Sequence, residues 1–69
     1  MTYSIKALNT EIQEWETIPA YFGDNDEETT STRSKTEAEE AVAELKTIKQ
    51  TTYKHVQVTK NIEYSDFPH

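Results

Sequence analysis

The sequence predicts an α+β domain of order β-β-α-β, with one helix packed on a small antiparallel sheet. Three observations predict it. The stretch from Ser34 to Gln50 holds an unambiguous helical period. Two stretches before it alternate apolar and polar residues, as half-buried strands do. A third alternating stretch follows the helix.

Residues 2–8, TYSIKAL, put Tyr3, Ile5 and Ala7 on one side and Ser4 and Lys6 on the other. Leu8 falls on the Ser4 and Lys6 side and breaks the pattern. Asn9-Thr10 is expected to turn the chain, because Asn tolerates the left-handed conformation. Residues 11–18, EIQEWETI, then form the second strand of a hairpin. Two faces of that strand compete for the interior. Trp15 lies with Gln13 and Thr17; Ile12 and Ile18 lie with Glu14 and Glu16. The expectation is Trp15 inward, because a large aromatic buries more area than an aliphatic side chain. Glu14 and Glu16 then stand on the solvent side.

Pro19 ends this strand. Residues 19–33, PAYFGDNDEETTSTR, hold the only Gly, the carboxylates Asp24, Asp26, Glu27 and Glu28, and a Thr/Ser tract. Long loops in so small a domain are uncommon and usually functional or mobile. A mobile acidic loop is expected, with Tyr21 and Phe22 tucked in at its start and 24–33 exposed.

The helix rests on four signals. Ser34 and Glu37 have capping-box spacing, in which the hydroxyl takes an amide and the carboxylate reaches back. Ala38, Ala41, Val42, Leu45 and Ile48 recur every three or four residues and share one face. The interior has no Gly or Pro and is rich in Ala, Glu, Leu and Lys. Glu37, Glu39, Glu40 and Glu44 precede Lys46 and Lys49, an order that complements the helix dipole. Glu37–Glu40 and Glu40–Glu44 are like-charge neighbours, each costing roughly a few tenths of a kcal/mol.

Thr51-Thr52 connects the helix to residues 53–60, YKHVQVTK, a third strand with Val56 and Val58 inward. Ile62 and Tyr64 keep the same phase, so the strand is read as running on to about Tyr64. A turn at Lys60-Asn61 into a fourth strand would set Val58 against Glu63, a poorer register. Residues 65–69 read as a loose tail. The third strand is expected beside the first, giving spatial order 2-1-3 by a right-handed crossover. The expected core is Tyr3, Ile5, Ala7, Trp15, Ala38, Val42, Leu45, Ile48, Val56, Val58 and Ile62. It is thin for a lone domain, which leaves room for a homodimer or a partner that completes it.

Sixty-nine residues make one domain, 1–69. A chain this small buries only about 60% of its unfolded surface, so its stability is marginal without a staple. It has no Cys, which excludes disulfides and Cys-ligated zinc. The first residues lack the layout of a signal peptide, and no apolar run reaches bilayer length. A cytoplasmic location is expected. Seven basic against thirteen acidic residues leave a net charge of −6. That disfavours direct binding to nucleic acid or anionic membrane and favours basic partners.

Asp24, Asp26 and Glu28 have the spacing that opens a calcium loop. The Gly and bidentate Glu that the loop needs are replaced by Thr29 and Lys35, so a solvated acidic loop is expected and no metal. His55 and His69 have no second ligand at metal spacing, and His55 is expected on the outer side of the third strand beside Gln57. No phosphate loop or nucleophile elbow is present. Neither a catalytic residue nor a cofactor is expected, and the chain is read as a non-enzyme.

The carboxylates form three clusters: Glu14 and Glu16; Asp24, Asp26, Glu27 and Glu28; Glu37, Glu40 and Glu44. Such clusters keep a small protein in solution, and they also suit a basic partner. Spaced carboxylates can imitate a phosphate backbone. Tyr21, Tyr53 and Tyr64 are aromatic surface suited to interfaces. The function expected is an acidic protein-binding module that inhibits or regulates a nucleic-acid-binding protein, by analogy with small inhibitors of phages and mobile elements. A structural or oligomerising subunit is the alternative.

Overall fold

The computed structural model describes residues 1–48 and 52–61. They form β1 (Thr2–Asn9), β2 (Glu14–Ile18), α1 (Lys35–Thr47) and β3 (Tyr53–Asn61). The sheet order is β2-β1-β3, with both outer strands antiparallel to β1. The expected α+β architecture and strand order are therefore observed.

The hairpin turn is longer than Asn9-Thr10. β2 starts at Glu14, and residues 10–13 make the connection. Asn9 does contribute, since its Oδ1 accepts the Glu11 amide at 3.0 Å. The left-handed residue, however, is Gln13 with φ 56°, and its side chain donates to the Thr10 carbonyl at 2.7 Å.

That turn fixes the register, and the register overturns the expected face of β2. Ile18 sits opposite Ile5, and Trp15 opposite Leu8. Ile5 is fully buried beneath α1, so Ile18 shares the interior and Trp15 lies on the far face, 51% exposed. Burying the larger ring would require a slip of one residue, which would turn Ile18 out and break this pairing. Phe22 supplies the missing aromatic: it is fully buried, while neighbouring Tyr21 is 56% exposed.

The helix begins where the sequence places it. Ser34 is extended (φ −100°, ψ 115°) and its hydroxyl accepts the Glu37 amide at 3.2 Å. It ends at Thr47. Ile48 is the extended C-cap and is 58% exposed, not part of the core as expected, because it has left the helical face before the period could bring it inward. Lys49 and Gln50 lie outside the described residues.

On β3, Val56 and Val58 face the core, with Val58 opposite Ile5. His55 has φ 56° and sits where the β1–β3 register shifts, between Lys6 and Leu8. This bulge inserts one residue and reverses the alternation. Tyr53, and not Lys54, therefore lands on the helix side, opposite Asn9. Ile62 and Tyr64 lie outside the described residues, as does the tail. The core is Ile5, Ala7, Ala20, Phe22, Ala38, Ala41 and Val42, flanked by Tyr3, Ile18, Leu45, Val56 and Val58.

Residues 19–33 are pinned at two points. Ala20 and Thr29 exchange both backbone hydrogen bonds at 3.0 Å, and Tyr3 and Thr32 do the same at 2.7 and 2.9 Å. Phe22 anchors the stretch between them. No helix among the described residues is long and apolar enough to cross a membrane.

Candidate functional site

The site grows from the start of α1. The Glu37 carboxylate does not reach back to Ser34 as a capping box would have it. It accepts from the Thr32 hydroxyl at 3.0 Å, and that hydroxyl in turn accepts the Ser34 amide at 3.3 Å. Thr32 is thus a relay between cap and carboxylate, and it is held in place by its bridge to Tyr3. Glu37 also closes over Gly23, where φ is +60° and an added Cβ would meet Glu37 Oε1 at 2.5 Å. The glycine permits both the left-handed turn and this close approach.

The loop consequently runs along the helix, and a groove lies between them. One part, of about 140 Å³, is lined by Tyr21, Gly23, Glu37, Glu40, Ala41 and Glu44. Its continuation, of about 280 Å³, adds Glu28 and apolar walls from Pro19, Ala20, Leu45 and Ile48. Among the described residues no Lys or Arg lines either part. Spacings of three and four put Glu37, Glu40 and Glu44 along one edge. The exposed ring of Tyr21 lies among them. Among the described residues the one ion pair is Lys35–Glu39 at 3.9 Å, which leaves Glu40 and Glu44 without a cation.

Of the residues singled out from sequence, Tyr21, Glu28, Glu37, Glu40 and Glu44 come together here. Asp26 and Glu27 line a shallower hollow with Asn25 and Thr29 on the same loop, and Asp24 is exposed beside them. Glu14, Glu16 and Tyr53 do not join the groove. They sit on the helix-side face of the sheet, beyond the end of α1, which corrects the expectation that Glu14 and Glu16 face away from the core side. Glu14 is exposed there. Glu16 is half-buried: it accepts Asn9 Nδ2 at 3.2 Å and the Tyr53 hydroxyl at 2.8 Å. That hydrogen bond holds the Tyr53 phenol above its ordinary pKa, and desolvation and the negative charges of Glu16 and Glu11 push the same way. Tyr64 lies outside the described residues.

No three His, Asp or Glu side chains converge to hold a metal among the described residues. Asp24, Asp26 and Glu28 form no such group. His55 is exposed, and its ring lies 6.4 Å from that of Trp15, tilted 36°. It borders an open depression of about 270 Å³ with Lys46, Lys54 and Tyr53, in which no carboxylate of the described residues takes part.

Two features escaped the sequence reading. Thr32 and Gly23 carry no motif, and their roles depend on the loop folding back onto α1. The exposed ring on the far face of the sheet is the other, because the size of Trp15 argues for an inward face; the competing alternation of Ile12 and Ile18 is the signal that points to it. No protein-family model, no curated protein and no solved structure matches this chain.

Proposed function

We propose that this chain is a non-enzymatic protein-binding module that acts in the cytoplasm by occupying a basic surface of a larger protein. The observation that carries the reading is the groove between α1 and residues 19–28. It sets an exposed tyrosine among Glu28, Glu37, Glu40 and Glu44, with no cation among the described residues that line it. Rows of carboxylate around an aromatic suit Arg and Lys side chains, which pair with the acids and stack on the ring. Asp24, Asp26 and Glu27 extend the negative surface outward and would speed encounter with such a partner. The sharper form of the proposal is that the partner binds nucleic acid, and that the spaced acids stand in for phosphates.

Glu40 and Glu44 are the residues to change, because neither takes part in the cap. A Glu40→Gln, Glu44→Gln variant relieves one like-charge pair and should remain folded. Host lysate is passed over immobilised parent and variant, and bound protein is eluted with salt. A basic protein held by the parent at about 0.15 M salt should elute from the variant at lower salt, because screening then acts on fewer charges. Equal retention by both would refute the groove as the contact.

A further inference from the structure

The helix covers one face of the sheet, and the part of the other face around Trp15, Lys54 and His55 is open and has the opposite charge character among the described residues. Leu8 is flanked by Trp15 on β2 and Lys54 on β3, and Lys6 by Thr17 and Gln57. All six side chains share the side away from α1, because Ile5 and its partners take the other. The β3 bulge adds His55, whose ring meets that of Trp15 over the middle strand. Trp15 is 51% exposed, and Lys54 and His55 are exposed. The strand register sets Glu14 and Glu16 on the opposite side, and the remaining carboxylates among the described residues belong to the turn, the loop and the helix.

We propose that this open face docks onto the acidic groove of a second copy of the chain, in a head-to-tail arrangement. Both complementary surfaces are on one molecule. Lys6 and Lys54 would meet Glu40 and Glu44 of the next copy, and Trp15 would meet its Tyr21. The two symmetric alternatives are electrostatically unfavourable. Open face on open face sets Lys6 and Lys54 against themselves, and groove on groove opposes carboxylates. A standard stable interface buries about 800 Å² on each partner, a modest share of the 5301 Å² of surface here. Because the contact joins unlike surfaces, it propagates into a ring or an open chain and does not close as a two-fold dimer. The inference shares the groove with the proposed function but not its partner: self-association without lysate capture would support this and sink that.

The test is sedimentation of the full chain over a range of concentrations and salts. Association should appear at about 0.1 M salt and vanish at about 1 M, as the Debye length falls from about 10 Å to about 3 Å. Two charge-swapped variants sharpen it. Lys6→Glu with Lys54→Glu leaves both surfaces acidic, and Glu40→Lys with Glu44→Lys leaves both basic. Each alone should be monomeric, and an equal mixture should associate again. Circular dichroism of each variant confirms that it is folded. If the swapped positions prevent folding, Lys6→Gln with Lys54→Gln replaces them and should weaken association at least tenfold.

Three results would overturn the proposal. One is a parent chain that stays monomeric at millimolar concentration. Another is association that strengthens with salt, which marks an apolar contact. The third is binding of a fluorescent single-stranded oligonucleotide that is lost with Lys6→Gln and Lys54→Gln while the parent stays monomeric. That result would assign the open face to nucleic acid.

Discussion

Ser34, Thr32, Glu37 and Gly23 form one connected unit, and single substitutions in it should separate their roles. Ser34→Ala removes the acceptor of an otherwise unpaired helix amide and should cost about 1 kcal/mol in a urea melt. Gly23→Ala places a Cβ 2.5 Å from Glu37 Oε1 on a backbone at φ +60°. It should cost more than about 1 kcal/mol, since alanine at positive φ loses more than the usual gain in chain entropy. An unshifted melt for the glycine variant would mean that the loop does not lie against Glu37. Tyr53 gives a test by pH. Its phenol is held above the ordinary range by donating to Glu16. A raised folded pKa makes the contribution complete below the unfolded value of about 10 and lost as pH climbs through the folded value. The stability advantage of the parent over Tyr53→Phe should therefore shrink in alkali. An advantage that grows with pH would contradict the hydrogen bond.

Among the elements, β2 departs most from the sequence reading. The chain has a single Trp, so the face of β2 can be read directly. Trp15 emission should be that of a solvated indole, and acrylamide should quench it. Trp15→Ala should cost less than about 1 kcal/mol for a half-exposed side chain, whereas Phe22→Ala should cost roughly 3–5 kcal/mol. The reverse ranking would restore the Trp15-inward register. Leu45 is only partly buried, so its truncation should fall between the two. Hydrogen exchange can resolve the loop. The amides of Ala20 and Thr29 are bonded across it and that of Thr32 to Tyr3 on β1, so they should exchange more slowly than those of Asp24, Asp26, Glu27 and Glu28. Uniformly fast exchange from 19 to 33 would show that the pins do not hold in solution.

At the scale of the molecule, charge is divided by the sheet. The helix, loop and β2 carboxylates lie on one side, and Lys6, Lys54 and the rings of Trp15 and His55 on the other. The net charge of −6 hides this division, because a sum over the chain carries no direction. Adding salt should thus weaken contacts made by either surface, with the acidic side dominating long-range attraction to basic proteins.

What the sequence by itself determined is local. The period of residues 34–47 and the cap at Ser34 define a helix without reference to anything distant, and Val56 and Val58 mark the inner side of β3. The order β-β-α-β then leaves few topologies, and 2-1-3 is the one observed. The gathering of Glu37, Glu40 and Glu44 on one edge was legible for the same reason, since helix geometry alone places them. Only the tertiary structure decided which side of β2 is buried, because both alternations carry apolar residues and the choice belongs to the turn at 10–13 and the pairing of Ile18 with Ile5. It also decided that Tyr21 joins the helix carboxylates while Tyr53 and Glu16 bond to each other elsewhere. Those outcomes depend on a left-handed residue at His55, a left-handed glycine and a two-point anchor on the loop. The anchors are contacts between residues apart in sequence, and the two left-handed positions are backbone conformations that carry no periodic signal, so one-dimensional spacing encodes neither.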